Sequence, residues 1–265
     1  TMPRTTCATP THSPATDPVG MSTFRSIVFS SVIAGFIVGL IVTAAQQFGT
    51  VPLILRAEVY EKAAEHKHEA SATPQAILVH DHADHDHGAE GWEPKDGLER
   101  NLYTAGANIL TAVGFALLLG GFLAVRSGAT GEPISWHEGL MWGLAGFAVF
   151  TIAPGLGLPP ELPGVPAAPL LSRQIWWTIA VLATAAGLGL IVFRRSMPAA
   201  IAGVVLIMLP HLIGAPELEH IETNVPSSLS HQFVVAVTLT SLVFWTLLGS
   251  LTSAAFAYFD RPASA

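Results

Sequence analysis

Eight consecutive residues carry the densest chemistry in the chain: His80-Asp81-His82-Ala83-Asp84-His85-Asp86-His87. Imidazole and carboxylate at near-alternating positions suit borderline and hard divalent cations such as Co²⁺, Ni²⁺ and Zn²⁺. Affinity for such donors follows the Irving–Williams order, so the tract alone does not choose among them. From Ser71 to Glu90 the sequence has no helical or strand periodicity, so the tract reads either as a metal antenna or as a solvated low-complexity linker. Just upstream, Leu53–Ala70 is helix-forming, and Glu61, Glu65 and His68 fall at i, i+4 and i+7 on one face, a second set of metal donors.

A third set lies where apolar segments end. Pro154-Gly-Leu-Gly-Leu-Pro159-Pro160-Glu161-Leu162 and Pro210-His211-Leu-Ile-Gly-Ala-Pro216-Glu217-Leu218 share one pattern: proline, a gap, then Pro-Glu-Leu. Proline removes a backbone donor and breaks or kinks a helix, so both segments loosen just before an acid. The echo fits a two-helix repeat or two independently proline-rich helix ends. Two carboxylates, one imidazole and freed carbonyls form a mixed N/O set, so Glu161, His211 and Glu217 are expected to converge as a metal site. The competing reading makes each Glu a marker of the water boundary and His211 a neutral, hydrogen-bonded imidazole. Gln46, Gln47 and Asn108 are read as interhelical glue. His137-Glu138, on the inner side before the third span, is read either as a metal exit station or as an ordinary interfacial cap. Trp92, Trp136, Trp142, Trp176 and Trp177 lie near expected membrane boundaries and are read as headgroup-belt anchors.

What must position these groups is a set of membrane helices. The chain is 51% hydrophobic with 12 Lys+Arg and 19 Asp+Glu in 265 residues, far less charge than a soluble domain carries. Only a helix or a closed barrel satisfies its own backbone in a hydrocarbon core, and a spanning helix needs roughly 20 apolar residues. Six stretches qualify, near 25–47, 102–125, 140–158, 175–193, 197–214 and 232–257, the fifth being the weakest because Pro198 and Pro210 bracket it. The fold class is therefore an all-α polytopic membrane bundle of about six spans, with five possible. Glycine pairs Gly35/Gly39, Gly143/Gly146 and Gly187/Gly189 fit close helix packing better than a channel filter.

The Lys/Arg bias places both termini inside, with Arg25, Arg126, Arg194, Arg195 and Arg261 on inner flanks. Residues 48–100 then form a long His/Asp-rich extracytoplasmic loop holding most of the acids. Residues 1–20, rich in Thr and Pro, read as a disordered extension before a membrane domain over 21–260, and 261–265 as a short tail. The localisation expected is a bacterial inner (cytoplasmic) membrane, with lipid as one partner and nucleic acid excluded.

Cys7 is the only cysteine, so no disulfide or thiolate metal site can form inside one chain. There is no phosphate loop, no His-Glu-x-x-His pair and no Gly-x-Ser-x-Gly elbow, so nucleotide hydrolysis and peptidase chemistry are not expected and no enzyme is inferred. No cofactor is expected either, only a bound or carried metal.

Several motifs together resemble one family. They are Phe24-Arg25 with Ala34-Gly35 and Gln46; Pro52-Leu53-Ile54 with Ala57-Glu58 and Tyr60-Glu61; and Gly155-Leu-Gly-Leu-Pro-Pro-Glu161-Leu-Pro-Gly164. Arg173-Gln174 with Trp176-Trp177, Pro210-His211 with Ile213-Gly214-Ala215-Pro216, and Phe244-Trp245 complete the set. From Met21 to about Asp260 the chain resembles the CbtA family of predicted cobalt transporter subunits. The resemblance implies cobalt uptake feeding cobamide synthesis, about five spans, and a small one-span partner, CbtB, with a histidine-bearing tail. A rival reading is a non-transporting accessory or sensor protein that binds Co, Ni or Zn through its His-rich loop.

Overall fold

The computed structural model describes residues 19–71, 94–95, 97–218 and 223–260, without the side chains of 19–22 and 64–71. Among them every element is helical: α1 (Val19–Phe48), α2 (Val51–Ser71), α3 (Leu98–Thr130), α4 (Trp136–Phe147), a π-helical turn (Ala148–Ile152), α5 (Ala153–Gly157), α6 (Leu170–Arg194), α7 (Met197–Ile213) and α8 (Ser227–Phe259). Five helices are long and apolar enough to cross a membrane: α1, α3, the continuous α4–π–α5 unit, α6 and α8. The chain is thus a multi-pass membrane protein. Its exposed side chains include Phe29, Phe36, Leu110, Leu118, Leu182 and Ile201, the surface a bundle offers to lipid.

The weakest expected span is α7, which has only 17 residues. At 1.5 Å per residue it is about 25 Å long, short of a ~30 Å hydrocarbon core. It nevertheless runs antiparallel along α6: Gly187 meets Gly203 near one end, and the Trp176 indole reaches the Pro210 carbonyl near the other. Contacts between the remaining helices give the same alternation of direction. Ser26 of α1 donates to the carbonyl of Phe259 in α8 at 3.2 Å, so the start of the first long helix and the end of the last share one end of the bundle. That end is called proximal below, and the opposite end, which carries α2, distal.

Glycine sets how closely the helices approach. A Cβ added at Gly35 or Gly39 would come within 2.6 Å of Val113 or Ile109 of α3. On the α4–α8 contact, a Cβ at Gly139 would fall 1.9 Å from Ser253 Oγ, and one at Gly143 would fall 2.3 Å from the Trp245 carbonyl. The expected glycine packing therefore holds, with one amendment. Gly187 packs on Gly203, whereas Gly189 meets only the edge of Phe193 at 4.0 Å.

Val38, Val42, Ala112, Ala116, Trp245 and Leu248 fill the centre between α1, α3 and α8. Leu53 and Ala57 of α2 bury themselves distally against Leu162, Val225, Leu229 and Phe233. The helix expected over Leu53–Ala70 is thus α2, lying on the distal end, and Arg100 at the start of α3 ties it down through Glu58 at 2.7 Å. Proximally, Arg126 of α3 pairs with Glu138 of α4 and joins the two helices, while the residue that caps α4 is Ser135, whose hydroxyl accepts from the Glu138 N–H.

Candidate functional site

Pro154 lies two residues past the π segment. It has no N–H to give the helical ladder, and its ring would clash with the carbonyl four residues back, so the chain widens into a π turn over Ala148–Ile152 in which the Ala153 N–H reaches Ala148 O. The helix resumes for one turn and stops at Leu158. Beside this break opens a cavity of about 860 Å³, bounded by the π segment, the distal ends of α5, α6 and α8, and the loop through Pro160. Phe150, Thr151, Arg173, Gln174, Trp177 and Ser241 line it.

A second cavity of about 310 Å³ shares Phe150, Thr151, Trp177 and Ser241 with the first and leads toward α1 and α3, where Gln46, Asn108 and Thr111 line it, with Thr240 of α8 beside them. Asn108 Nδ2 donates to Thr43 Oγ1 at 3.0 Å and to Gln46 Oε1 at 2.7 Å, and Gln47 Nε2 donates to Asn101 Oδ1 at 3.1 Å. The amides do act as interhelical glue, and Gln46 and Asn108 also form a cavity wall. The two cavities together present hydroxyls, amides and aromatic rings, with Arg173 the one ionised group among their lining residues.

The proline-marked ends come together through a residue read from sequence as a headgroup anchor. Trp176 is buried at 6% exposure, not set in a membrane belt. Its Nε1–H donates to the Pro210 carbonyl at 3.2 Å, its ring meets His211 edge-on at 5.6 Å between centroids, and its six-membered ring lies where a Cβ on Gly157 would fall. The same indole thus joins the end of α5 to the end of α7. The Pro210 carbonyl gives this inward indole N–H an acceptor inside the protein, while the neighbouring Trp177 is 39% exposed.

The expected three-residue site is not assembled. Glu161 Oε2 is 2.9 Å from Arg173 Nη2, His211 packs on Trp176, and among the described residues no three or more His, Cys, Asp and Glu side chains group to hold a metal. Glu61 of α2 lies beside Gly164 of the same distal loop. Glu65 and His68 belong to α2, but their side chains lie outside the described set, and His80, Asp81, His82, Asp84, His85, Asp86 and His87 lie outside the described residues altogether. Sequence reading missed Arg173 as the partner of Glu161. The two are twelve positions apart, with a proline-rich turn between them that gives no periodic signal.

A family model described as probable cobalt transporter subunit (CbtA) matches residues 24–257, nearly the whole helical chain. The chain belongs to the CbtA family. No curated protein and no solved structure matches it. In this CbtA protein the family's membrane-protein character agrees with the five long apolar helices, and the family's description as one part of a transporter implies a further chain in the assembly.

Proposed function

We propose that this CbtA protein is the membrane subunit of an uptake system for a divalent transition metal, cobalt foremost with nickel and zinc as rivals, capturing metal outside and passing it inward. The observation that carries this reading is the family match over residues 24–257, which spans both proline-broken helices. The distal end faces outward in the Lys/Arg topology. His80, His82, His85 and His87 with Asp81, Asp84 and Asp86 serve as the antenna, and Glu61, Glu65 and His68 continue it along α2. Glu161, His211 and Glu217 form the entry site at the outer ends of the two proline-broken helices. For them to act together Glu161 must exchange Arg173 for the metal, and a bound dication would offset the repulsion between the two acids. A one-span partner like CbtB completes the system in the bacterial inner membrane, and the cobalt feeds cobamide synthesis.

The test is accumulation of labelled cobalt in cells lacking other high-affinity uptake, with the partner co-expressed and the chain present either complete or without Ser71–Glu90. The deletion is expected to raise the half-saturating cobalt concentration several-fold and leave the maximal rate nearly intact, because a tethered donor tract raises local concentration without forming the path. An equal loss of rate at saturating cobalt would place the tract in the path itself. No accumulation with the complete chain and its partner would leave the accessory or sensor reading.

A further inference from the structure

The larger cavity does not match a bare dication. Its volume of about 860 Å³ falls among those of small-molecule pockets, about 300–1,000 Å³. Among its lining residues no carboxylate or imidazole occurs, and the one charge is the Arg173 guanidinium. A hydrated metal ion would have to shed water against neutral oxygens and apolar walls beside a cation, which costs free energy that nothing in the wall returns.

The guanidinium is also incompletely used. Its Nη2 pairs with Glu161 at 2.9 Å, but its Nε–H is buried with no acceptor among the described residues. One carboxylate occupies only part of a five-donor guanidinium, so an occupant that brings an acceptor to the exposed part of the group gains a charge-assisted hydrogen bond. Gln174 adds an amide beside it, and Phe150 and Trp177 supply ring faces and edges for an apolar body.

We propose that this cavity binds an amphiphilic organic anion, its carboxylate or phosphate accepting from the Arg173 guanidinium and its apolar part lying against Phe150 and Trp177. This goes beyond the transport reading and stands without it. The same chemistry has two sources, an anionic lipid or a soluble organic acid.

The test uses the full chain. In one arm, protein in detergent is exposed to equal phosphatidylglycerol and phosphatidylcholine, and retained lipid is read by native mass spectrometry. In the other, protein in phosphatidylcholine nanodiscs is titrated with naphthalene-2-carboxylate and with the uncharged naphthalene-2-methanol, read by tryptophan quenching with Trp177→Phe as the site control. Preference for the anion is expected in at least one arm, and the positive arm names the source. Arg173→Gln is expected to weaken that binding about tenfold or more, the worth of one charge-assisted hydrogen bond. Glu161→Gln is expected to tighten it, because the carboxylate no longer competes for the guanidinium. The opposite signs separate a binding role from a structural ion pair, in which both variants would do equal harm. If Arg173→Gln does not fold, Glu161→Gln alone still decides. No anion preference in either arm, or weaker binding in Glu161→Gln, overturns the proposal.

Discussion

Replacing Gly139 by alanine is expected to remove most of the folded protein, while replacing Gly114 by alanine, in α3, leaves it intact or slightly stabilised. The two substitutions add the same methyl group to long apolar helices. At Gly139 the new carbon would lie 1.9 Å from Ser253 Oγ and 2.3 Å from the Gly249 carbonyl, and a carbonyl fixed in α8 cannot swing aside as a flexible side chain would. The helices must part, and the contacts of Gly143 and Gly146 with Trp245 on the same seam loosen with them. Overpacking typically costs about 1–3 kcal/mol, and a backbone collision along a whole seam belongs at or above the top of that range. At Gly114 nothing lies within 4 Å, so alanine brings only its better helix propensity, worth up to about 1 kcal/mol. Monodisperse yield and thermal unfolding in one detergent measure both. Equal behaviour of the two variants would contradict the α4–α8 contact.

Trp176→Ala is expected to be the other severe loss. Truncating a buried tryptophan costs about 3–5 kcal/mol, and here the void opens between the end of α5 and the end of α7 while the Pro210 carbonyl loses one of two donors, keeping the Gly214 N–H. Trp176→Phe keeps most of the ring and forfeits the hydrogen bond, so about 1 kcal/mol is expected. Gly157→Ala attacks the same joint from the other side, since its Cβ would lie 2.2 Å from the indole, and it is expected to resemble Trp176→Ala. The matching Trp177→Ala change, at a cavity-lining and partly exposed residue, is expected to cost much less. Unfolding in detergent ranks the four. A Trp176→Ala protein as stable as Trp177→Ala would show that the indole does not join the two broken helices.

The bundle itself was legible because its signals are local. Charge-free apolar runs mark the long helices, a helical run with acids marks α2, and Gly35, Gly39, Gly143 and Gly146 mark close seams. What depended on a partner was not. Gly187 announced a contact, but nothing in its neighbourhood says that Gly203 faces it while Gly189 does not. Pro154 announced a break without saying that the helix would absorb it as a π turn. Trp176 and Trp177 are indistinguishable as a dipeptide at a helix start, and only the position of the Pro210 carbonyl sends one inward. Glu161 looked like a free metal ligand because its counter-ion, Arg173, lies across a proline-rich turn. The short length of α7 was signalled by Pro198 and Pro210, and its antiparallel pairing with α6 by nothing local.

Whether this CbtA protein moves metal is tested most directly by uptake of labelled cobalt into proteoliposomes holding the purified chain, first alone and then with its one-span partner, at fixed gradients. Saturable cobalt accumulation in at least one of the two preparations, reduced at low cobalt in the Glu161→Gln, His211→Asn or Glu217→Gln variants that still insert, is the expected result. Empty-liposome background in both preparations would contradict transport by this chain. Accumulation unchanged in all three variants would contradict their role as its entry site.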